Sequence, residues 1–278
     1  MSVYDLGKRR RRYVRPSPLF LAVVAVAVVG ALIAWTQDGS GSRFGDFGVL
    51  LFVLGGWLVS VCLHEFAHAY AAFRAGDRSV ESAGYLTLNP FKYTDPLLSI
   101  ALPLLFIVLG GIGLPGGAVY LHPHAFRSRA MRSIASAVGP LVNLVFAVVL
   151  LLVAKSHLPD LGNSGILSGD SGSHLRFWSA VAFLGFLQMS AAVLNLLPVP
   201  GLDGYAIIEP YLDRSTQEIG NKVKPWGMLG VLVLIFYVPA LNNAFFDLVD
   251  WLYRLTGADT IWWQLGHQFF RFWAKVPA

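Results

Sequence analysis

Apolar runs of about twenty residues, repeated along the chain, constrain this sequence more than any other feature. An α-helix rises about 1.5 Å per residue, so about 20 apolar residues cross a hydrocarbon layer of about 30 Å while satisfying every backbone hydrogen bond internally. Such runs lie near residues 18–35, 47–72, 131–154, 177–199 and 226–246, each bounded by polar, glycine or proline clusters. Composition points the same way: 55% of the 278 residues are hydrophobic and only 13% are charged, a balance foreign to soluble domains. The expected fold class is an all-α integral membrane protein, a polytopic helical bundle of about five to six spans.

A further apolar segment, 97–117, decides the topology. Pro103, Gly110, Gly111, Gly113, Pro115, Gly116 and Gly117 interrupt it. If it crosses fully, Arg127, Arg129 and Arg132 lie outside together with His122 and His124. If it dips in and returns, those arginines join Arg74, Arg78, Lys92, Arg214, Lys222 and Lys224 on the inner side, leaving Arg43, Lys155 and Arg176 outside, as the positive-inside rule prefers. We therefore expect a re-entrant glycine-rich hairpin between the second and third spans.

The N-terminus carries Lys8-Arg9-Arg10-Arg11-Arg12 before the first apolar run. That run is longer than a signal-peptide core and no small-x-small cleavage pattern follows it, so it reads as a signal anchor with a cytosolic N-terminus. The net charge of +5 is spread over short loops and this cluster, which fits membrane topology and excludes a nucleic-acid surface. Cys62 is the single cysteine, so no intrachain disulfide exists. The Gly- and Ser-rich stretch 155–176 suits an external loop. Residues 260–275, with Trp262, Trp263, Phe269, Phe270, Phe272 and Trp273 among polar positions, suit a helix in the membrane interface. Three units are expected: 1–46, a basic tail with an anchor span; 47–210, a catalytic membrane core; and 211–278, a C-terminal span with the interfacial helix.

Chemistry enters at His64-Glu65-Phe66-Ala67-His68. Two histidines four apart on a helix project from one face about a turn from each other, which lets both imidazoles hold one ion, and neutral imidazole suits zinc. A carboxylate beside them is placed to move a proton. Three ionisable side chains in an apolar helix cost several kcal/mol unless paired, metal-bound or facing water, so a functional reading outweighs chance. A catalytic zinc takes a third protein ligand. The residues alone leave Asp95, Asp203 and the pair His122 and His124 open, each with an ordinary turn or loop role as the alternative. A transporter with an intramembrane His/Glu/Asp cluster is the rival class, although neither an inverted repeat nor paired broken helices are visible. A membrane zincin using a downstream glutamate as third ligand is another.

Three segments together resemble the site-2 protease family of intramembrane zinc metalloproteases: the helix bearing His64 to His68, the span with Gly139-Pro140-Leu141-Val142-Asn143, and the N-x-x-P-x-P-x-L-D-G stretch beginning at Asn195 and ending at Gly204. The resemblance covers about residues 45–210. It implies one zinc per chain on His64, His68 and Asp203, and Glu65 as catalytic base and acid. The implied reaction is hydrolysis of peptide bonds in or near transmembrane helices of membrane-protein substrates, at a site near the cytosolic leaflet of a bacterial plasma membrane. Partners are then such substrates, the lipid bilayer and a regulatory membrane protein, with no nucleic acid. It further implies that Asn143 and Asn195 face the active cavity. The chain also resembles a bacterial subgroup, without PDZ or CBS domain, that carries N-P-x-x-H-x-D-P after the first motif. Tyr93 stands here at the histidine position and is a candidate for hydrogen bonding substrate. The strip 110–120 would offer an edge to an extended substrate strand.

Overall fold

The computed structural model describes residues 14–38, 42–93, 105, 107, 122–158 and 174–274. Asp95, the basic cluster at 8–12, the strip 110–120, nearly all of the expected hairpin at 97–117 and most of the 155–176 loop lie outside these residues.

Among the described residues the fold is carried by α1 Pro18–Thr36, α2 Arg43–Ala75, α3 Arg129–Lys155, α4 Leu175–Asn195, the short α5 Asp203–Ile208, α6 Arg214–Tyr237, α7 Pro239–Leu255 and α8 Thr260–Phe270, with one further turn of helix at Ser79–Ser82. Among the described residues there is no strand. Helices α1, α2, α3, α4 and α6 are each long and apolar enough to cross a membrane, so the all-α membrane fold stands. Their starts follow local chemistry: the side chains of Ser17, Ser42, Ser128, Asp213 and Asp259 accept from the first free amides of α1, α2, α3, α6 and α8.

Two boundaries differ from the apolar pattern because of proline. Helix α4 stops at Asn195, short of residue 199, ahead of Pro198 and Pro200. The single run expected at 226–246 is two helices, α6 and α7, parted at Pro239. Pro239 has no N–H for the Ile235 carbonyl, and the Asn242 side-chain amide donates to that carbonyl instead, at 3.1 Å. Helix α6 also begins twelve residues before the apolar run, because its first turns are polar and carry no hydropathy signal.

Helix α4 is the centre of the bundle: every residue from Trp178 to Asn195 is buried. Helices α2, α3 and α8 pack around it, and α1 lies along the outer side of α2. On α3 the faces separate cleanly. Ile134, Leu141, Val145, Val149 and Leu152 are exposed, while Ala135, Gly139, Asn143, Ala147, Leu151 and Ala154 are buried. An apolar exposed stripe is what hydrocarbon solvates. Helix α8 packs on α4, with Trp262 and Phe270 buried and Trp263 stacked on Phe186 of α4 at 4.0 Å.

Backbone contacts fix the ends of the bundle. The Arg127 amide donates to the Ala75 carbonyl at 3.2 Å, and the His122 amide to Asp77 Oδ2 at 2.9 Å. The start of α3 therefore sits beside the end of α2. At the opposite end, buried Arg176 at the start of α4 donates through Nε to Asp46 of α2 at 3.0 Å. Breaking a buried pair strands the partner charge. Arg176→Leu is expected to lower stability by about 2 kcal/mol, less than for a fully buried pair because Asp46 keeps some solvent. Addition of Asp46→Asn should recover part of that loss, as read by thermal unfolding in detergent.

Candidate metal centre

One helical turn on α2 brings the two imidazoles together, with His64 Nε2 and His68 Nε2 3.0 Å apart. The third group arrives from far along the chain. After α4 the backbone turns, the Leu202 amide donating to the Val199 carbonyl at 3.0 Å, and α5 opens with Asp203. Gly204 permits this fold-back, since a Cβ there would stand 2.2 Å from the Leu196 carbonyl oxygen. Asp203 Oδ2 then lies 3.2 Å from His64 Nε2 and 3.4 Å from His68 Nε2.

The other ring nitrogens decide what these atoms are. His68 Nδ1 lies 2.6 Å from the Ala135 carbonyl oxygen, which only accepts, so Nδ1 carries the hydrogen. His64 Nδ1 donates likewise to Asn143 Oδ1 at 3.0 Å. Both Nε2 atoms therefore present lone pairs toward each other and toward a carboxylate. A single proton joins only two of these three atoms, whereas one cation joins all three. Tetrahedral zinc with bonds of about 2.0–2.1 Å places its ligand atoms about 3.3 Å apart, close to the separations found. The residues fit the ion.

Helix α3 is the template for this arrangement. It supplies the Ala135 carbonyl and the Asn143 amide, and between them Gly139 lets its backbone pass against the rings. A Cβ at 139 would stand 2.1 Å from His68 Nε2 and 2.7 Å from His64 Nε2, in competition with an ion for the same lone pairs. Two contacts hold α5 to α3: Arg132 Nη2 to Glu209 Oε2 at 2.7 Å, and Ser133 Oγ donating to the Ile207 carbonyl at 2.6 Å. Sequence reasoning missed Arg132, Ser133 and Glu209, because partners more than seventy residues apart leave no local pattern.

Glu65 is buried beside the pair, with Oε1 4.0 Å from His64 Nε2. Asn195 is buried at the end of α4. Tyr93 is only 1% exposed, and its hydroxyl donates to the Cys62 carbonyl at 3.1 Å, bracing the turn of α2 before His64. Burial pushes this phenol well above its ordinary range, so it stays a donor. His122 joins Ser79 and Asp77 instead of the metal group, and His124 lines a cavity farther along α3. Among the described residues, His64, His68 and Asp203 are the group of three placed to hold a metal.

Comparison with known proteins agrees with this chemistry. The chain is 48% identical over 264 residues to "Putative zinc metalloprotease Rip2" of Mycolicibacterium smegmatis, covering 95% of this chain and 96% of that protein. Its Mycobacterium tuberculosis counterpart of the same name is 44% identical over 265 residues, with 95% and 97% covered. "Putative zinc metalloprotease YwhC" of Bacillus subtilis is 30% identical over 205 residues, 73% of this chain and 86% of that one. No family model and no solved structure matches the chain.

Gly139→Ala is expected to reduce bound zinc from one per chain to near zero while helicity by circular dichroism is retained. Asn143→Ala, which removes the acceptor that orients His64, should weaken zinc affinity about 10- to 100-fold in a chelator competition.

Proposed function

The chain belongs to the zinc metalloprotease family of these relatives, and on that premise we propose that it is an intramembrane endopeptidase of the site-2 type, cutting peptide bonds in or near the transmembrane helices of other proteins. The observation that carries this reading is the convergence of His64, His68 and Asp203 among membrane-length helices, with Glu65 alongside.

His64 Nε2, His68 Nε2 and Asp203 Oδ2 would hold the zinc, and Asn143 and the Ala135 carbonyl keep both rings in the ligating tautomer. Zinc bound there supplies Lewis-acid activation of water and of the scissile carbonyl. Glu65 takes the proton released from water and hands it to the leaving amine, a role suited to a carboxylate next to the ligands in a site of low dielectric. The Asn143 amide spends its oxygen on His64, so its NH2 group, with Asn195, is the donor left for a substrate carbonyl. Tyr93 already spends its hydroxyl on Cys62, which argues against a substrate role for it.

The ends of the bundle support a reading of the site's depth and side. His68 lies seven residues, about 10 Å, from the end of α2. Arg74, Arg78, Arg127 and Arg129 sit at that end, and Arg43, Lys155 and Arg176 at the other. By the positive-inside rule this distribution favours a site near the cytosolic leaflet and a cytosolic N-terminus; the reading further takes the membrane to be a bacterial plasma membrane and residues 47–210 to be the catalytic core.

With purified protein and a model membrane-helix substrate, Glu65→Gln should keep one zinc per chain and lose at least about 100-fold in cleavage. Asp203→Ala should lose both zinc, by elemental analysis, and cleavage. Retained cleavage by Glu65→Gln would overturn the mechanism.

A further inference from the structure

Helix α6 contributes no side chain to the group of His64, His68 and Asp203, but it packs on the turn that carries Asp203. We infer that α6 clamps this turn, with Gly220 and Gly227 as positioning residues for the third metal ligand; the inference rests on the zinc-binding reading of the site.

The first half of α6 is polar and exposed, and from Arg214 to Gly227 its buried residues are the two glycines. They stand seven apart, two turns, on one face of the helix. A Cβ at 227 would overlap the Pro200 carbonyl oxygen and lie 3.3 Å from a Val199 methyl, and a Cβ at 220 would overlap the Tyr205 hydroxyl. Between them the Lys224 carbonyl faces Gly201, whose φ of +105° suits glycine and where a Cβ would stand 2.7 Å from that oxygen. One face of α6 thus meets Pro200, Gly201 and Tyr205, on both sides of Asp203 in the chain. Val199 and Leu202 join Met228, Val231 and Leu232 in one apolar cluster. Helix propensity gives no reason for Gly220 and Gly227, since alanine is the better helix former. Their lack of a side chain is what the contact requires. Gly230 is the contrast on the same helix, because an added Cβ there meets nothing within 4 Å.

A push on the turn reaches the ligand. Pro198 and Pro200 fix their own φ, the Leu202 amide is tied to the Val199 carbonyl at 3.0 Å, and Asp203 follows Pro200 by three residues. On its other sides the turn has no room to retreat: Gly204 seats against the Leu196 carbonyl of α4, and α5 is held to α3 through Arg132–Glu209 and Ser133. Helix α6 is itself fixed by buried Val231, Leu232 and Ile235. A methyl group added to its glycine face is therefore accommodated by the turn, and a carboxylate moved by about 1 Å leaves a zinc bond of about 2.0–2.2 Å.

The test takes full-length wild type, Gly227→Ala, Gly220→Ala and Gly230→Ala in detergent, loaded with zinc or with Co²⁺, whose visible absorption reports its coordination. Gly227→Ala should lower zinc affinity about 10- to 100-fold in a chelator competition and shift the cobalt absorption toward that of Asp203→Ala, with helicity by circular dichroism retained. Gly220→Ala should do the same to a smaller degree, because the tip of the Tyr205 side chain can move; it also serves where Gly227→Ala does not assemble. Gly230→Ala should match wild type in both readouts. Wild-type zinc affinity and cobalt absorption in folded Gly227→Ala and Gly220→Ala overturn the clamp. A lower melting temperature with an unchanged cobalt absorption assigns the glycines to packing alone and overturns it as well, as does an equal loss in Gly230→Ala. Neither readout involves cleavage, so the clamp is judged apart from the protease reading. A wild-type protein that binds neither ion overturns the metal centre and the clamp together.

Discussion

Three electron-pair donors facing one another inside an apolar bundle are the constraint on which the rest of this structure depends. Water or a donor side chain would ordinarily quench such a group, and hydrocarbon offers neither. The Nδ1 hydrogens of His64 and His68 are each committed to an oxygen of α3, so the rings cannot turn away from Asp203. The arrangement is stable when a cation sits among the three, which is the sense in which zinc belongs to the fold as much as to the reaction.

The scaffold answers that demand with few elements. Helix α2 supplies both imidazole nitrogens within one turn. Helix α3 supplies the acceptors that aim them and, at Gly139, the closeness that lets it do so. Buried α4 delivers the chain to the turn that ends at Asp203, and the Arg132–Glu209 pair with the Ser133 hydrogen bond locks the short α5 in place. Polar contacts inside the bundle are thereby concentrated where two helices and one turn meet, while the exposed side of α3 remains apolar.

Tyr93 and Asn143 show how environment commits a polar atom. As a departure from a related histidine pattern, Tyr93 reads as a candidate for touching substrate; in the fold its ring is enclosed and its hydroxyl is spent on the backbone of α2. Asn143 reads as an oxyanion or substrate contact, yet its oxygen serves His64. Both are polar side chains in apolar surroundings, and the nearest available partner captured each. Proline acted similarly on the helices: Pro239 divided an unbroken apolar run, and Asn242 covered the carbonyl thereby exposed.

Periodicity and hydropathy act within a few turns of chain. The all-α membrane class, the positions of α1 to α4 and the pairing of His64 with His68 were therefore determined by the sequence alone. So was the presence of Glu65 beside that pair. The residues left Asp95, Asp203, His122 and His124 open as a third ligand, and a family resemblance, not spacing, favoured Asp203. Only tertiary structure brought Asp203 within 3.2 and 3.4 Å of the two imidazoles, turned Asn143 and the Ala135 carbonyl toward them, and drew His122 away to Asp77. The reason is distance along the chain: groups separated by about 45 to 139 residues have no shared local period, and packing of α3 and α4 against α2 decides which of them meet.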